Sequence, residues 1–212
     1  MGKEQGKKSK SAILAVGAEI VHSKGFNNTG IQEVLTAAGV PKGSFYFYFQ
    51  SKNHFGLQLI DFYAQCIYAK LDEAEGLTGV SALNRLRRFF AEYVTLFENT
   101  KCRGGCPIGN MAQEMGDLSN DFRERLQAVY VCLQSRIAGL LDQAREEGEV
   151  ESAADTRELA GFMLNAWQGA IVQMKVVKST SPLQTFDHVV FESVLASPSD
   201  GVGANNKEYA DG

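Results

Sequence analysis

Apolar residues recur along the chain at the spacing of α-helices, and no stretch shows the alternation of apolar and polar residues expected of a half-buried strand. The first such segment precedes Gly25, which suits the end of a helix because glycine readily adopts a left-handed backbone. Its apolar face is formed by Ile13, Val16, Gly17, Ile20 and Val21. We therefore predict an all-α protein.

Turn residues divide the rest of the chain into eight further predicted helices, nine in all. Thr29 followed by Gln32 has the form of a capping box for the second helix, and Pro41 suits the first turn of the third. Ser51 can cap the fourth. The helices from the fourth onward are predicted at about 52–75, 80–98, 107–115, 120–147, 153–177 and 182–196. The polar, glycine-rich residues 198–212 are predicted to be disordered.

The second and third helices, joined by "AAGV" at residues 37–40, have the pattern of a helix-turn-helix. The third helix is only about seven residues long, so its stability must come from its neighbours. It contains five consecutive aromatic residues, "FYFYF", at 45–49. Helical spacing turns Phe45, Tyr48 and Phe49 inward. The same spacing presents Lys42, Ser44, Tyr46 and Phe47 to a partner.

The charge distribution indicates what that partner is. The net charge of the whole chain is −4, but residues 1–52 hold seven lysines against three acids, a net charge of +4. The remaining 160 residues hold 14 basic and 22 acidic groups, a net charge of −8. A basic head suits a polyanion, although a solvated tail with scattered lysines would give the same count. With a helix-turn-helix in that head, we predict double-stranded DNA.

The DNA contacts can be assigned by chemistry, with the third helix in the major groove. Phosphates, which position the protein, are within reach of a lysine ammonium, a tyrosine hydroxyl or the cap region of the second helix. Outward polar side chains can contact base edges, and Phe47 can contact a thymine methyl. The predicted DNA-binding residues are Lys10, Thr29, Pro41, Lys42, Gly43, Ser44, Tyr46, Phe47, Tyr48 and Lys52.

Residues 10–56, which include "ILAVGAEIVHSKGFNNTGIQEVLTAAGVPKGSFYFYFQSKNHF", resemble the DNA-binding domain of the TetR family of bacterial repressors. The resemblance implies a DNA-binding domain over residues 1–52 and a regulatory and dimerisation domain over residues 53–197. It also implies a homodimer on a palindromic operator, released by an inducer. Many relatives have histidine where Phe47 stands, so the operator sequence is not implied.

A single helix-turn-helix reads one half-site, so two copies must be held together. The last two helices carry broad apolar surface that suits a four-helix bundle between subunits, or else belongs to the core of one chain. The apolar residues in question are Leu159, Phe162, Met163, Ala166, Trp167, Ala170, Phe186, Val189, Val190, Phe191 and Val194.

A second candidate site is the segment "KCRGGCPIGN", residues 101–110. Cys106 directly precedes Pro107, so it lies near the start of the sixth helix, where the helix dipole and free N–H groups favour a thiolate. Lys101 and Arg103 add positive charge nearby. Such a thiol fits a redox or electrophile sensor, with Cys102 as a resolving partner; two inert loop cysteines are the alternative. Cys66 and Cys132 are predicted to be packed.

The stretches "GGCPIGNMAQEMGDLS" and "WQGAIVQMKVVKS" resemble a branch of the same family that senses electrophiles and hypochlorous acid. The resemblance implies that Cys106 is the sensing thiol and that Lys175 can bond to it. Such a change at the sixth helix is expected to shift the fourth helix, which links the body to the head, and so alter the spacing of the two recognition helices.

Two other functions are compatible with the body. An apolar ligand could bind reversibly in a pocket predicted to be lined by Tyr63, Phe89, Phe97, Met111, Met163 and Trp167. A thiol oxidoreductase is disfavoured because the chain lacks a CxxC motif and a βαβ pattern, so we do not expect an enzyme. The three histidines are scattered, and no metal or cofactor is expected. With no secretory signal and no membrane-spanning apolar run, a cytoplasmic protein is expected.

Overall fold

The computed structural model describes residues 2–151 and 154–195, with the first eight of these as backbone only. Every regular element in this part of the chain is helical, which confirms the predicted class. The helices are α1 Gly2–Lys24, α2 Ile31–Ala37, α3 Phe45–Tyr48, α4 Lys52–Glu75, α5 Ala82–Asn99, α6 Pro107–Met115, α7 Asn120–Glu146, α8 Thr156–Val177 and α9 Ser181–Val189. The predicted disorder of residues 198–212 lies outside the described residues.

Two helices differ from the sequence-based expectation. The third consists of a 3-10 turn, Lys42–Ser44, followed by the single α-helical turn of α3. The ninth changes from α-helix to a π-helical turn over Val190–Val194. Among residues 2–151 and 154–195, none of the helices has the apolar length of a transmembrane segment.

The capping-box prediction for the second helix is wrong. Gly25 ends α1 with φ +91°, and the tight turn that follows brings its carbonyl oxygen back toward Thr29. The buried Thr29 hydroxyl therefore donates to that oxygen at 2.7 Å, and Gly30 occupies the N-cap position without a side-chain cap. The predicted cap of α4 is confirmed, since Ser51 Oγ accepts from the backbone N–H of His54 at 3.0 Å.

Helices α1 to α3 pack as a head around buried aromatic rings, to which α4 contributes. The rings of Phe45 and Phe49 lie 5.1 Å apart, and the Phe55 ring of α4 is 5.8 and 5.1 Å from them. Gly17 on α1 allows this approach, because a Cβ there would lie 2.4 Å from the Phe55 ring. The short third helix is held in place by these contacts rather than by its own propensity.

Helices α4 to α9 form the body, in which α7 packs against α4, α5, α6 and α8. Aromatic contacts join α5 to the last two helices: the Phe90 ring lies 4.9 Å from Trp167 and 5.0 Å from Phe186. The N-terminus of α5 is held by carboxylates after α7, with Glu147 accepting from Ala82 N–H and Glu149 from Leu83 N–H.

Much of the apolar surface predicted to face a second subunit belongs to the core of this chain. Because α9 folds back against both α8 and α5, the larger side chains between them are covered. Those buried are Leu159, Met163, Trp167, Phe186, Val190 and Phe191. Of the predicted set Phe162 and Val189 are exposed, and α8 also exposes Val172, Val176 and Val177.

The head and the body are joined by α4 and by close packing around it. Tyr63 on α4 donates from its hydroxyl to the carbonyl oxygen of Ala18 at 2.6 Å. Gly56 lies where a Cβ would come within 2.5 Å of the Phe122 ring and 2.7 Å of the Phe26 ring. The head is therefore packed directly on the body.

Candidate functional site

The third helix presents a mixed cationic and aromatic surface to solvent. Phe45 and Phe49 are fully buried, whereas Tyr46 is 70% exposed and Phe47 is 81% exposed. Lys42 and Gly43 are also exposed, and Ser44 and Tyr48 are half-buried. The predicted division of the aromatic run into an inner and an outer side is thus what the structure shows, with Tyr48 between the two.

The residues predicted to reach phosphates differ in availability. Lys10 Nζ lies 5.7 Å from the centroid of the Phe49 ring, beside the third helix. Lys52 Nζ already donates to the carbonyl oxygen of Asn27 at 3.1 Å and lies 5.0 Å from the Phe26 ring centroid. The Thr29 side chain is buried and bonded inward, so it offers no phosphate contact. Only the backbone at the start of α2 remains for that role.

Cys106 is the N-cap residue of α6, as predicted. Its sulfur accepts a hydrogen bond from the backbone N–H of Gly109 at 3.4 Å and another from Nε2–H of Gln168 at 3.3 Å. Gly109 permits the approach of Gln168, whose side-chain oxygen would lie 2.4 Å from a Cβ at that position. Two N–H donors aimed at one sulfur stabilise negative charge on it.

Lys175 lies against the same loop. Its Nζ donates to Oδ1 of Asn110 at 3.3 Å, and Asn110 in turn donates from Nδ2 to the carbonyl oxygen of Gly104 at 2.8 Å. The Lys175 stem covers Gly105, the residue before Cys106, leaving no room for a Cβ there. The structure thus brings Cys106 and Lys175 to one loop of the body.

Cys102 does not share this surrounding. It is buried, has a left-handed backbone with φ 55°, and borders a different cavity of about 530 Å³. Lys101, Arg103 and Lys178 border that second cavity as well, so the predicted loop cations lie with Cys102. The prediction that Cys66 is packed is wrong, because Cys66 is exposed on α4; Cys132 is half-buried.

Two tyrosines near Cys106 were missed as site residues. Burial, followed by the charge of Cys106, raises the pKa of Tyr130 to about 12 and also raises the pKa of Tyr93. Both side chains therefore remain neutral hydroxyls well above physiological pH. The apolar spacing of α7 identified Tyr130 only as core, and no pattern marked Tyr93 or Gln168.

A cavity of about 300 Å³ lies between the end of α1 and helices α4, α6 and α8. Of the residues predicted to line a ligand pocket, Tyr63 and Met111 border this cavity, together with His22, Asn110 and Lys175. The other predicted pocket residues are elsewhere. Phe89, Phe97 and Met163 pack in the core, and Trp167 borders an outer groove of about 590 Å³ on α5 and α9. Among the described residues, no group of three or more His, Cys, Asp or Glu side chains could hold a metal ion.

Helix α6 also contacts the head, which no sequence pattern indicated. The two carboxylate oxygens of Glu114 accept from the backbone N–H groups of Phe26 at 2.7 Å and Asn27 at 2.5 Å. Nε2 of His22 donates to the carbonyl oxygen of Gly105 at 2.8 Å.

A head that exposes a short basic and aromatic helix, on an all-α body with a cavity between them, defines a DNA-binding regulator. Residues 13–57 match the family model described as bacterial regulatory proteins, tetR family, and residues 82–190 match the tetracyclin repressor-like C-terminal domain. The chain belongs to the TetR family of transcriptional regulators.

The relatives are regulators and not enzymes. Transcriptional regulator AcuR of Cereibacter sphaeroides is 38% identical, over 82% of this chain and 80% of AcuR. HTH-type transcriptional repressor DhaR of Mycobacterium sp. strain GP1 is 30% identical, over 87% of this chain and 91% of DhaR. The crystal structure of reduced NemR from Escherichia coli superimposes with a TM-score of 0.81 at 26% identity, covering 90% of this chain and 100% of that one.

Proposed function

We propose that the protein is a homodimeric cytoplasmic repressor that leaves a palindromic operator when Cys106 reacts with an electrophile or an oxidant. Repression follows the relatives DhaR and NemR, both of which are named transcriptional repressors. The observation that supports the sensing step is the pair of N–H donors on the Cys106 sulfur at the start of α6.

DNA binding is assigned to the exposed side of the third helix. Tyr46 and Phe47 are large and exposed, and their rings contact those of Phe45 and Tyr48 on the same short helix, so they enter a groove without ordering a loop. Lys42 supplies the charge beside them. In the major groove Lys42 and Tyr46 contact base edges, Phe47 contacts a thymine methyl, and Lys10 contacts the phosphate backbone.

Dimerisation is assigned to the exposed apolar face of α8 with the end of α9. Phe162, Val172 and Val176 fall within about 80° of one another around α8 at 3.6 residues per turn, and Val189 of α9 is exposed as well. An apolar face left open in one chain is covered by a second copy in a four-helix bundle. That bundle fixes the separation of the two heads near the 34–36 Å of one DNA turn or a multiple of it.

An electrophile reacts with Cys106 by addition. The thiolate forms a C–S bond to one carbon of an electron-poor alkene, the π electrons move to the neighbouring carbon, and that carbon takes a proton from solvent. The thioether occupies the space beside Gln168 and Tyr130, so the start of α6 must move. Because a packed core does not absorb extra volume, the displacement passes to neighbouring elements.

An oxidant acts through the same sulfur. Peroxide or hypochlorous acid oxidises the thiolate to a sulfenic acid, and the oxidant leaves as hydroxide or chloride. The amine of Lys175, after giving a proton to solvent, attacks that sulfur, forming an S–N bond and releasing water. The position of Lys175 against Gly105 supports this pairing. Cys102 is buried and borders another cavity, which favours Cys106 over Cys102 as the reacting thiol.

Reversible binding of a small molecule is the second candidate function. The cavity of about 300 Å³ beside Tyr63 and Met111 reaches both the head and α6, so an occupant there would contact both. Its lining includes Lys175, Asn110 and His22, which suits a ligand with polar groups better than a purely apolar one.

The test compares release of DNA by N-ethylmaleimide in the wild type, Cys106→Ser and Cys66→Ser. The duplex is an inverted repeat from the DNA flanking the coding region, and binding is followed by fluorescence anisotropy. We expect the reagent to weaken wild-type and Cys66→Ser binding at least about tenfold. Cys106→Ser should bind DNA normally and be insensitive. Cys66 is the matched control because it is a second thiol that is exposed to the reagent, on α4 and not on α6.

Two outcomes would overturn the thiol mechanism. If N-ethylmaleimide released Cys106→Ser from the duplex as it releases the wild type, Cys106 would not be the sensor. If N-ethylsuccinimide, which has the same shape but no reactive double bond, released the wild type equally well, binding in the cavity and not alkylation would be the signal.

A further inference from the structure

The turn between α1 and α2 is bound by the C-terminal end of α6. Both carboxylate oxygens of Glu114 are engaged, one by Phe26 N–H at 2.7 Å and the other by Asn27 N–H at 2.5 Å. Asn27 also donates from Nδ2 to the sulfur of Met115, the last residue of α6, at 3.5 Å. Successive backbone N–H groups that converge on a carboxylate form an anion-binding concavity, which makes this a directional attachment.

The other end of α6 is attached to α1. His22 Nε2 donates to Gly105 O at 2.8 Å, and a Cβ at Gly104 would lie 2.6 Å from the His22 ring. Helix α6 has nine residues, so the two attachments are separated by about 14 Å along its axis. Cys106 lies directly after one attachment, and Glu114 makes the other. A rotation or shift of α6 therefore changes both.

The attached turn is part of the core of the head. The Phe26 side chain is 1% exposed, and its ring lies 5.2 Å from Phe122 of α7. Four residues after Asn27, α2 begins, and α2 is the first helix of the helix-turn-helix. Movement of the turn is therefore transmitted to α2 and to the third helix behind it, in addition to any movement that passes through α4.

We propose that the Glu114 carboxylate, bound to the Phe26 and Asn27 amides, is the joint through which α6 sets the orientation of the DNA-binding head. Glu114 is a positioning residue: it touches neither DNA nor the reacting thiol. The proposal rests on the DNA-binding function of the head, and it holds whether α6 is displaced by alkylation of Cys106 or by a ligand in the cavity.

Reciprocity supplies a test that needs no inducer. If α6 biases the head, then DNA bound to the head must change the stability of α6 by the same coupling free energy. Hydrogen–deuterium exchange of residues 107–115 is measured by mass spectrometry with and without a duplex selected from a random pool. The full-length dimer is compared with Glu114→Gln and with Asp117→Asn.

The two variants make the same chemical change three residues apart. Glu114→Gln keeps one acceptor oxygen but replaces the other with an NH₂ group that cannot accept from a backbone N–H. Asp117 is exposed and follows the end of α6, so Asp117→Asn controls for the lost charge. In the wild type and in Asp117→Asn, we expect the duplex to change exchange of residues 107–115 at least about threefold.

In Glu114→Gln the duplex should change the exchange of residues 107–115 by less than about 1.5-fold, while the affinity of the variant for the duplex stays within about threefold of the wild type. The proposed role of Glu114 would be wrong if the duplex changed the exchange of residues 107–115 as much in Glu114→Gln as in the wild type. It would also be wrong if the duplex left that exchange unchanged in the wild type. Failure of the wild type to bind any duplex would instead refute the proposed function. Wild-type circular dichroism and a single cooperative thermal transition in Glu114→Gln show that the variant is folded.

Discussion

His22 on α1 donates a hydrogen bond of 2.8 Å to the carbonyl oxygen of Gly105, which immediately precedes Cys106. Because a carbonyl can only accept, the imidazole carries its proton on Nε2 in this contact. The end of the first helix is thereby attached to the loop that carries the proposed sensor, 83 positions further along the chain.

We expect His22→Ala to lower the free energy of unfolding by about 1 kcal/mol, since one hydrogen bond between the head and the body is lost. It should also reduce the loss of DNA affinity caused by alkylation of Cys106. Urea unfolding and anisotropy titrations measure the two effects. His188→Ala, an exposed histidine on α9, should change neither. An unreduced response in His22→Ala would remove this contact from the signalling route.

The two sides of the aromatic run should respond oppositely to truncation. Phe45→Ala removes a fully buried ring and should lower the free energy of unfolding by about 3–5 kcal/mol. Phe47→Ala removes an exposed ring and should change stability by less than about 0.5 kcal/mol, while weakening DNA binding. Chemical denaturation and anisotropy distinguish them. Equal destabilisation by both variants would contradict the assignment of Phe45 to the core and Phe47 to the DNA-contacting surface.

Lys42→Ala tests whether the exposed cation reads bases or only phosphates. If Lys42 contacts a base, Lys42→Ala should lose about 1–3 kcal/mol of binding free energy, and discrimination between bases should be relaxed at one operator position. A phosphate contact predicts a uniform loss and a decrease of about 0.9 in the slope of log affinity against log salt. Binding to a set of single-base operator variants at several salt concentrations separates these. Lys178→Ala, on the body, is the control. If Lys42→Ala bound DNA as tightly as the wild type, the exposed side of the third helix would not be the DNA-contacting surface.

Val176→Glu places a charge on the apolar face of α8, where the side chain is 78% exposed. If that face is the subunit interface, the variant should sediment as a folded monomer and should bind a full operator much more weakly than the wild type. Leu118→Glu, which puts the same charge on an exposed leucine between α6 and α7, should remain dimeric. A dimeric Val176→Glu would exclude this face.

Two glycine-to-alanine substitutions in helices should have opposite signs. At Gly56 a Cβ would lie 2.5–2.7 Å from the Phe122 and Phe26 rings, so Gly56→Ala should cost about 1–3 kcal/mol of unfolding free energy. At Gly139 on α7 there is open space, and Gly139→Ala should stabilise by about 0.5–1 kcal/mol. Thermal unfolding measures both effects. If Gly56→Ala left the free energy of unfolding unchanged, the packing of Phe26 and Phe122 around Gly56 would be loose.

Local sequence patterns predicted features that depend on nearby residues, such as which face of a helix is buried and where a helix begins. Helical spacing separated buried Phe45 from exposed Phe47, and Pro107 correctly indicated that Cys106 lies at the start of α6. The pattern failed at Thr29, because the left-handed Gly25 turns its own carbonyl toward the hydroxyl.

Contacts between distant segments could not be read in this way. The carboxylate of Glu114 and the amide of Phe26 are 88 positions apart, and their meeting depends on how α6 packs under the head. The same is true of Gln168, which reaches Cys106 from α8. Neither pair has a fixed spacing that a motif could capture.

The sharing of Phe55 between α4 and the head limits how this protein can be cut and recombined. A fragment that stopped at residue 52 would lose the ring against which Phe45 and Phe49 pack, and with it the support of the groove-reading helix. Exchange of operator specificity between relatives by grafting would therefore have to carry the first turns of α4 along with the helix-turn-helix. A chimera built that way keeps its DNA-reading aromatics anchored.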